Sequence, residues 1–331
     1  MKSGSKIVML VTACLGLAAC DSKPPAGKSA VGTTGGPAKT EKVRVAVIPK
    51  GTTHVFWKGV ERGAKKAGEE LGVEIIWKGP PKEDDRAQQV GLVDQFIGDK
   101  VSAIVLAPLD SKLLVGPVKR ATESGIPVSI IDSGLEAAPG KDFVGYYGTD
   151  NNAAGGLGGT HLSTLVGTGK VVVMRYTAGS ASTTAREDGA ITSLKAAGVT
   201  ITSDNQFGEV TPESAKSKAL QMIDTIREAK GVFTPNESTT YGMLLALRQA
   251  GLAGKITLVG FDASKPLVDA LRSGEIAALV VQNPEMMGRR GVEQAVKKLR
   301  GEPTSESVDT GAVLVTKANM DSPDVKGLLP E

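Results

Sequence analysis

The chain has 331 residues, enough for about two domains at roughly 150 residues each and for more than one core. Hydrophobic residues make up 40% and charged residues 23%, the balance of an ordinary globular protein. The formal charge is only +3 and the basic residues are interspersed with acidic ones, so no basic face for nucleic acid is present. Two Trp, four Tyr and six Phe are all the aromatics, so where they sit carries information. Two histidines, His54 and His161, and two cysteines, Cys14 and Cys20, exclude zinc spacing and a disulfide framework. No EF-hand loop occurs, and a site built only of carboxylates has no motif behind it; neither metal nor cofactor is expected.

In chain order, Lys2 and Lys6 precede a short apolar stretch, Ile7 to Leu17, too short to span a bilayer comfortably. Leu17-Ala18-Ala19-Cys20 follows, and it resembles the lipobox of bacterial lipoproteins, in which the cysteine is lipidated and becomes the new N-terminus. Residues 1–19 are therefore expected to be a signal peptide. Its removal takes away Lys2, Lys6 and Cys14 and lowers the formal charge from +3 to +1. Residues 20–42, rich in Gly, Pro, Ser, Thr and Lys, cannot bury a core and read as a lipidated flexible tether to the membrane.

From Val43 onward, short β-branched runs alternate with amphipathic stretches. Val43–Ile48 reads as a strand, and Val60, Ala64, Ala67 and Leu71 as one face of a helix. Val73–Trp77, Ala103–Leu106 and Pro127–Ile131 are further strands, with a helix marked by Val90, Val93 and Ile97. A second set begins after a glycine-rich segment near Thr149–Thr160. Its strands are Val171–Met174, Val199–Thr202, Val232–Thr234, Thr257–Gly260 and Ala277–Val281. Its helices include Ser214–Glu228, Tyr241–Ala250 and Pro266–Ser273. Near-continuous apolar strands alternating with helices predict parallel sheets covered on both faces, in two doubly wound α/β halves. Ala103–Pro108 and Gly231–Asn236 echo each other as strands that stop at proline, which simple strand termination also explains.

Open α/β sheets bind ligands beyond the carboxyl ends of their strands. There stand Lys50, His54, Phe56 and Trp57 after the first strand, and Asp132 and Ser133 after the fourth. The second half leads to Arg186, Asn236, Asp262 and Gln282. Flat rings beside carboxylates, a guanidinium and amides suit a sugar, whose C–H faces pack on aromatics and whose hydroxyls both donate and accept. Plainer roles exist for each: Asp132 and Asp262 as helix caps, Phe56 and Trp57 as core, Arg186 in a surface pair with Glu187 or Asp188, Asn236 in a turn, and His54 as a structural residue. Only their coincidence at strand ends argues for a site. No G-x-S-x-G, P-loop or H-E-x-x-H motif is present, and a His54/Ser133/Asp132 triad is poorly placed, so the chain is not expected to be an enzyme.

Several segments resemble the ribose- and galactose-type periplasmic binding proteins of ABC transporters: His54-Val55-Phe56-Trp57, Gly125-Ile126-Pro127, Gly148-Thr149-Asp150-Asn151, Ala185-Arg186-Glu187, Pro235-Asn236-Glu237, Val259-Gly260-Phe261-Asp262 and Val281-Gln282-Asn283-Pro284. The resemblance implies a type I periplasmic binding protein fold, two Rossmann-like lobes joined by a three-strand hinge. One lobe would hold 43–149 and 283–309, the other 150–282 and 310–331. Sugar contacts would fall on His54, Phe56, Trp57, Asp132, Arg186, Asn236, Asp262 and Gln282, with Ser133 beside them. Where His54 stands the ribose pattern has asparagine, and where Ser133 stands it has arginine, which puts ribose itself in doubt. Lys50, and Ser133 next to Asp132, also resemble binding proteins for the autoinducer-2 signal, whereas Arg186 and Asp262 do not. The function implied is capture of a monosaccharide-sized sugar by a lipid-anchored monomer in the periplasm or at the cell surface, and its delivery to an ABC permease and ATPase. Alternatives are a receptor component feeding a chemosensor, a sugar-active enzyme, and a repressor, the last opposed by the absence of an N-terminal helix-turn-helix.

Overall fold

A computed structural model describes residues 42–330. The signal segment, Cys20 and the rest of the tether before Lys42 lie outside the described residues. The first run of elements is β1 (Arg44–Ile48), α1 (Val55–Leu71), β2 (Glu74–Trp77), α2 (Arg86–Gly98), β3 (Ala103–Leu106), α3 (Val115–Glu123), β4 (Val128–Ile131) and β5 (Tyr146–Gly148). The chain continues through α4 (Asn151–Val166), β6 (Lys170–Arg175), α5 (Ala181–Ala196), β7 (Thr200–Phe207), α6 (Pro212–Gln221), α7 (Ile223–Arg227), β8 (Gly231–Phe233) and α8 (Glu237–Gln249). It ends with β9 (Thr257–Phe261), α9 (Lys265–Ser273), β10 (Ala278–Gln282), α10 (Pro284–Leu299), β11 (Ser307–Asp309), β12 (Ala312–Thr316) and α11 (Pro323–Lys326).

These strands form two six-stranded sheets, ordered β11-β5-β4-β3-β1-β2 and β12-β10-β9-β8-β6-β7. Every pairing is parallel except β10 with β12. The uninterrupted apolar strands follow from cover on both faces. In β1, Val45 and Val47 join one cluster while Ala46 and Ile48 join another. In β6, Val171 and Val173 likewise face away from Val172 and Met174. Successive strand residues point to opposite faces, so a two-sided core needs an apolar residue at each position.

The sheets are arranged alike. β3 and β8, which carry the echo around Pro108 and Pro235, hold the same place in the two orders. The chain passes between sheets three times: from β5 into α4, from β10 into α10, and from β11 into β12. Asp150 and Asn283 each cap the helix that follows a crossing, accepting the Ala153 and Met286 N–H groups at 3.0 Å. Each crossing helix lies flush on a partner, α4 on α5 and α10 on α1, through glycines. A methyl group on Gly155 would stand 1.9 Å from the Arg186 carbonyl oxygen, and one on Gly288 would stand 2.0 Å from that of Val60. The glycine-rich segment is thus a helix, α4, packed closely on α5. Backbone-to-backbone packing there outweighs the poor helix propensity of glycine.

Other expectations need correction at their ends. The helix expected over Ser214–Glu228 starts at Pro212 on a Thr211 cap and is broken at Met222 into α6 and α7. α8 starts at Glu237, four residues before the expected Tyr241, because Asn236 supplies a capping box with Thr239. β7 runs on to Phe207 through Ser203-Asp204-Asn205-Gln206, a polar stretch tolerated at the sheet edge.

Candidate functional site

The carboxyl ends of the strands from both sheets meet at a cleft between the lobes. From the first lobe come Lys50 after β1, His54 and Phe56-Trp57 at the start of α1, Glu83 after β2, and Asp132 after β4. The second supplies Ser182, Thr183 and Arg186 from α5, Asn236 and Glu237 at the start of α8, Asp262 after β9, and Gln282 at the end of β10. The cavity they enclose measures only about 30 Å³. Eight of the nine sequence-predicted residues line it. Ser133 does not reach it: its buried hydroxyl accepts the Ser182 N–H at 3.1 Å, a bond between the lobes.

Asp132 and Asp262 are equivalent in the fold, each directly after the third strand of its sheet order. Their φ angles, 59° and 66°, are left-handed, a conformation aspartate adopts more readily than most residues. Neither is the N-cap of the helix that follows. Asp132 instead pairs with Lys50 Nζ at 2.9 Å, both side chains being buried. Asp262 accepts from Gln282 Nε2 at 2.7 Å and from the Glu237 N–H, the first of α8, at 2.9 Å. Its burial raises its pKa, against the pull of Arg186 and of these two bonds.

Arg186 is fully engaged inside the cleft rather than paired on the surface. Its Nε donates to Asn151 Oδ1 at 2.7 Å, and its two terminal nitrogens donate to Pro235 O at 3.1 Å and Gln282 Oε1 at 2.6 Å. The guanidinium lies 4.7 Å from the centre of the Phe261 ring, an apolar floor with cation–π character. Glu187 and Asp188 pair with Arg175 instead. Asn236, expected in a turn, is instead the N-cap of α8 and also stands on the cavity wall: its Oδ1 is committed to the Thr239 N–H and hydroxyl.

The sequence reading missed Glu83, the hub of the first lobe's wall. It accepts from His54 Nδ1 at 2.8 Å, Trp57 Nε1 at 2.7 Å and, across the cleft, the Tyr176 hydroxyl at 2.9 Å. Burial alone would lower His54, but the Glu83 carboxylate raises it to about 9. Burial alone would raise Glu83, but His54, aided by Lys50 and the indole N–H, lowers it to about 2. Trp57 is thereby pinned, buried in the core and edge-on to Phe56 at 4.9 Å between ring centres. Applied to the second strand as well as to its neighbours, the strand-end rule would have found Glu83. Ser182, Thr183 and Glu237 gave no separate signal: the first two lie about one helical turn before Arg186, and Glu237 directly follows Asn236.

Hydrogen bonds across the cleft also join Lys50 Nζ to Ser182 Oγ at 2.9 Å and the Phe56 N–H to Glu237 Oε2 at 3.3 Å. This is a closed arrangement in which the polar groups of the two lobes satisfy one another.

The region from residue 45 to 303 matches the periplasmic binding protein domain. The chain belongs to the periplasmic binding protein family. Among its relatives, a D-ribose/D-allose-binding protein of Pseudomonas aeruginosa is 31% identical over 286 residues, 83% of this chain and 89% of that protein. An ABC transporter solute-binding protein of Agrobacterium vitis, solved with bound D-fucose, is 37% identical with a TM-score of 0.83, over 87% of this chain and 100% of that one. A carbohydrate transporter solute-binding protein of Agrobacterium radiobacter, solved with D-arabinose, is 31% identical with a TM-score of 0.82, over 88% and 100%. The fold, two α/β lobes joined by three crossings, is that of type I periplasmic binding proteins.

Proposed function

We propose that this periplasmic binding protein captures a monosaccharide-sized sugar between its lobes and delivers it to the permease and ATPase of an ABC importer. The observation that carries the reading is the convergence of Asp132, Arg186, Asp262 and Gln282 with the Phe56 and Trp57 rings on one interlobe cleft. The carboxylates accept hydroxyl protons, the guanidinium and amide donate, and Phe56 offers a ring to a C–H face. The sugars bound by the relatives support it, and their descriptions as transporter components favour import over a chemosensory receptor.

Small-molecule pockets measure about 300–1,000 Å³, so a cleft of about 30 Å³ has to open before a sugar enters. The lobes divide at 43–149 with 283–309, and at 150–282 with 310–331, and they part about the three crossings. A sugar that touches both lobes then draws them together by its preference for the closed state. His54, Phe56, Trp57, Asp132, Arg186, Asn236, Asp262 and Gln282 line the site, with Ser133 behind it. The protein acts as a periplasmic monomer, without metal or cofactor, tethered by lipid on Cys20.

A thermal-shift screen over pentoses, hexoses, polyols and amino sugars tests this, because a ligand that binds only the native state raises the melting temperature. At least one sugar should bind, be recovered unchanged, and lose its effect in Asp262→Asn. Asparagine is chosen because it tolerates the left-handed backbone and removes only the carboxylate. Chemical turnover of the sugar, or full binding by the variant, would refute the reading. A Cys20→Ser protein should leave the membrane fraction.

A further inference from the structure

A second cavity, of about 520 Å³, lies directly beside the cleft. The two share Phe56, Glu237, Asp262 and Gln282, so these four side chains form a common wall. Beyond the wall the larger cavity runs between Val55 and Arg62 of α1 and Leu328 and Leu329 near the end of the chain. Its volume falls in the range of small-molecule sites.

The common wall is a seam between lobes. Phe56 stands on α1 in the first lobe, whereas Glu237, Asp262 and Gln282 belong to the second. When the lobes part, the seam opens and the two cavities become one. A ligand held in the cleft on closure can then leave a substituent in the outer cavity. The groups that would meet such a substituent are lightly engaged. Glu237 is held by one long bond, from the Phe56 N–H at 3.3 Å. Arg62 reaches Glu285 only at 4.0 Å and is exposed. Val55, Leu328 and Leu329 offer apolar surface to the face of a ring, while Glu237 accepts from hydroxyls and Arg62 donates to them.

We propose that this cavity is a subsite for a second sugar ring, linked through a glycosidic oxygen to the ring in the cleft, so that the ligands include disaccharides. The proposal rests on the sugar reading of the cleft. Calorimetric titration of the purified protein tests it, with D-fucose, D-arabinose, D-allose and D-ribose as single rings and lactose, melibiose, maltose and cellobiose as double rings. At least one disaccharide should bind within tenfold of the best monosaccharide. Val55→Trp, which fills the outer cavity from an exposed position, should weaken that disaccharide at least tenfold and leave the monosaccharide unchanged. Arg62→Ala, also at an exposed position, should weaken the disaccharide severalfold and spare the monosaccharide. Binding of single rings with exclusion of every disaccharide would overturn the subsite and leave the sugar reading standing. Equal loss of both ligands in both variants would also overturn it. Failure of all eight sugars to bind would overturn the subsite, while the wider thermal-shift screen decides the sugar reading separately.

Discussion

Replacing Glu83 by glutamine keeps the shape of the side chain and removes its charge, and the consequences can be worked out for His54. A rise from 6.5 to about 9, at about 1.4 kcal/mol for each tenfold change, corresponds to a net of roughly 3 kcal/mol in favour of the imidazolium, left after burial has opposed the attraction of Glu83 and the smaller pulls of Glu237 and Asp262. The sign follows from both partners. His54, raised on folding, contributes stability that is full below pH 6.5 and lost as the pH rises through about 9. Glu83, lowered on folding, contributes stability that is full above pH 4.5 and lost as the pH falls through about 2. The pair is therefore fully effective between about pH 4.5 and 6.5. In Glu83→Gln the imidazole keeps its burial and loses its counter-ion, so its pKa should fall below 7. The melting temperature at pH 6 should drop by roughly 5–10 °C, and the deficit should shrink by pH 10, where the wild-type imidazole is neutral as well. NMR titration of His54 and thermal unfolding at the two pH values measure this. An imidazole that still titrates near 9 in the variant, or a deficit equal at both pH values, would refute the reasoning.

Gly155→Ala puts a methyl group 1.9 Å from the Arg186 carbonyl oxygen and should cost about 1–3 kcal/mol by forcing α4 off α5; weakened sugar affinity should accompany the loss, as Arg186 moves. Gly156→Ala, whose methyl group meets the Ser193 side chain at 3.2 Å and the Gly189 carbonyl oxygen at an ordinary 3.8 Å, is the control, and chemical denaturation should find it neutral or up to about 1 kcal/mol more stable through helix propensity. Burial raises Glu187 to about 7, so folding takes up a proton between pH 4.5 and 7 and stability falls as the pH rises through that range. Glu187→Gln should flatten that slope in pH-dependent urea denaturation. Arg186→Lys keeps the charge but cannot bridge Asn151, Pro235 and Gln282 at once, so calorimetry should find sugar affinity at least tenfold weaker.

Much of the cleft was legible because the strands themselves were. β4, β6 and β9 are short runs with apolar residues at most positions, and the rule that ligands sit beyond strand ends converts such runs into a list of residues. That route reaches Asp132, Arg186 and Asp262 from the sequence alone. It did not reach Glu83, which follows the partly exposed strand β2 in a polar stretch resembling a surface loop. Nor could it weigh alternatives: aspartate after a strand is as good a helix cap as a ligand, and the left-handed φ of Asp132 and Asp262 appears only in three dimensions.

The sequence by itself determined a parallel two-lobed architecture, since patterning and turn chemistry are local properties carried by neighbouring residues. It also marked most of the polar and aromatic groups at strand ends. The tertiary structure decided which of those groups meet. Lys50 finds Asp132, and Tyr176 reaches Glu83, across 82 and 93 positions of chain. The glycine-rich segment became a helix only because α5 lies against it closely enough to need the missing side chains. Such partners are set by the packing of whole sheets and helices, and no window along the chain contains both members of the pair.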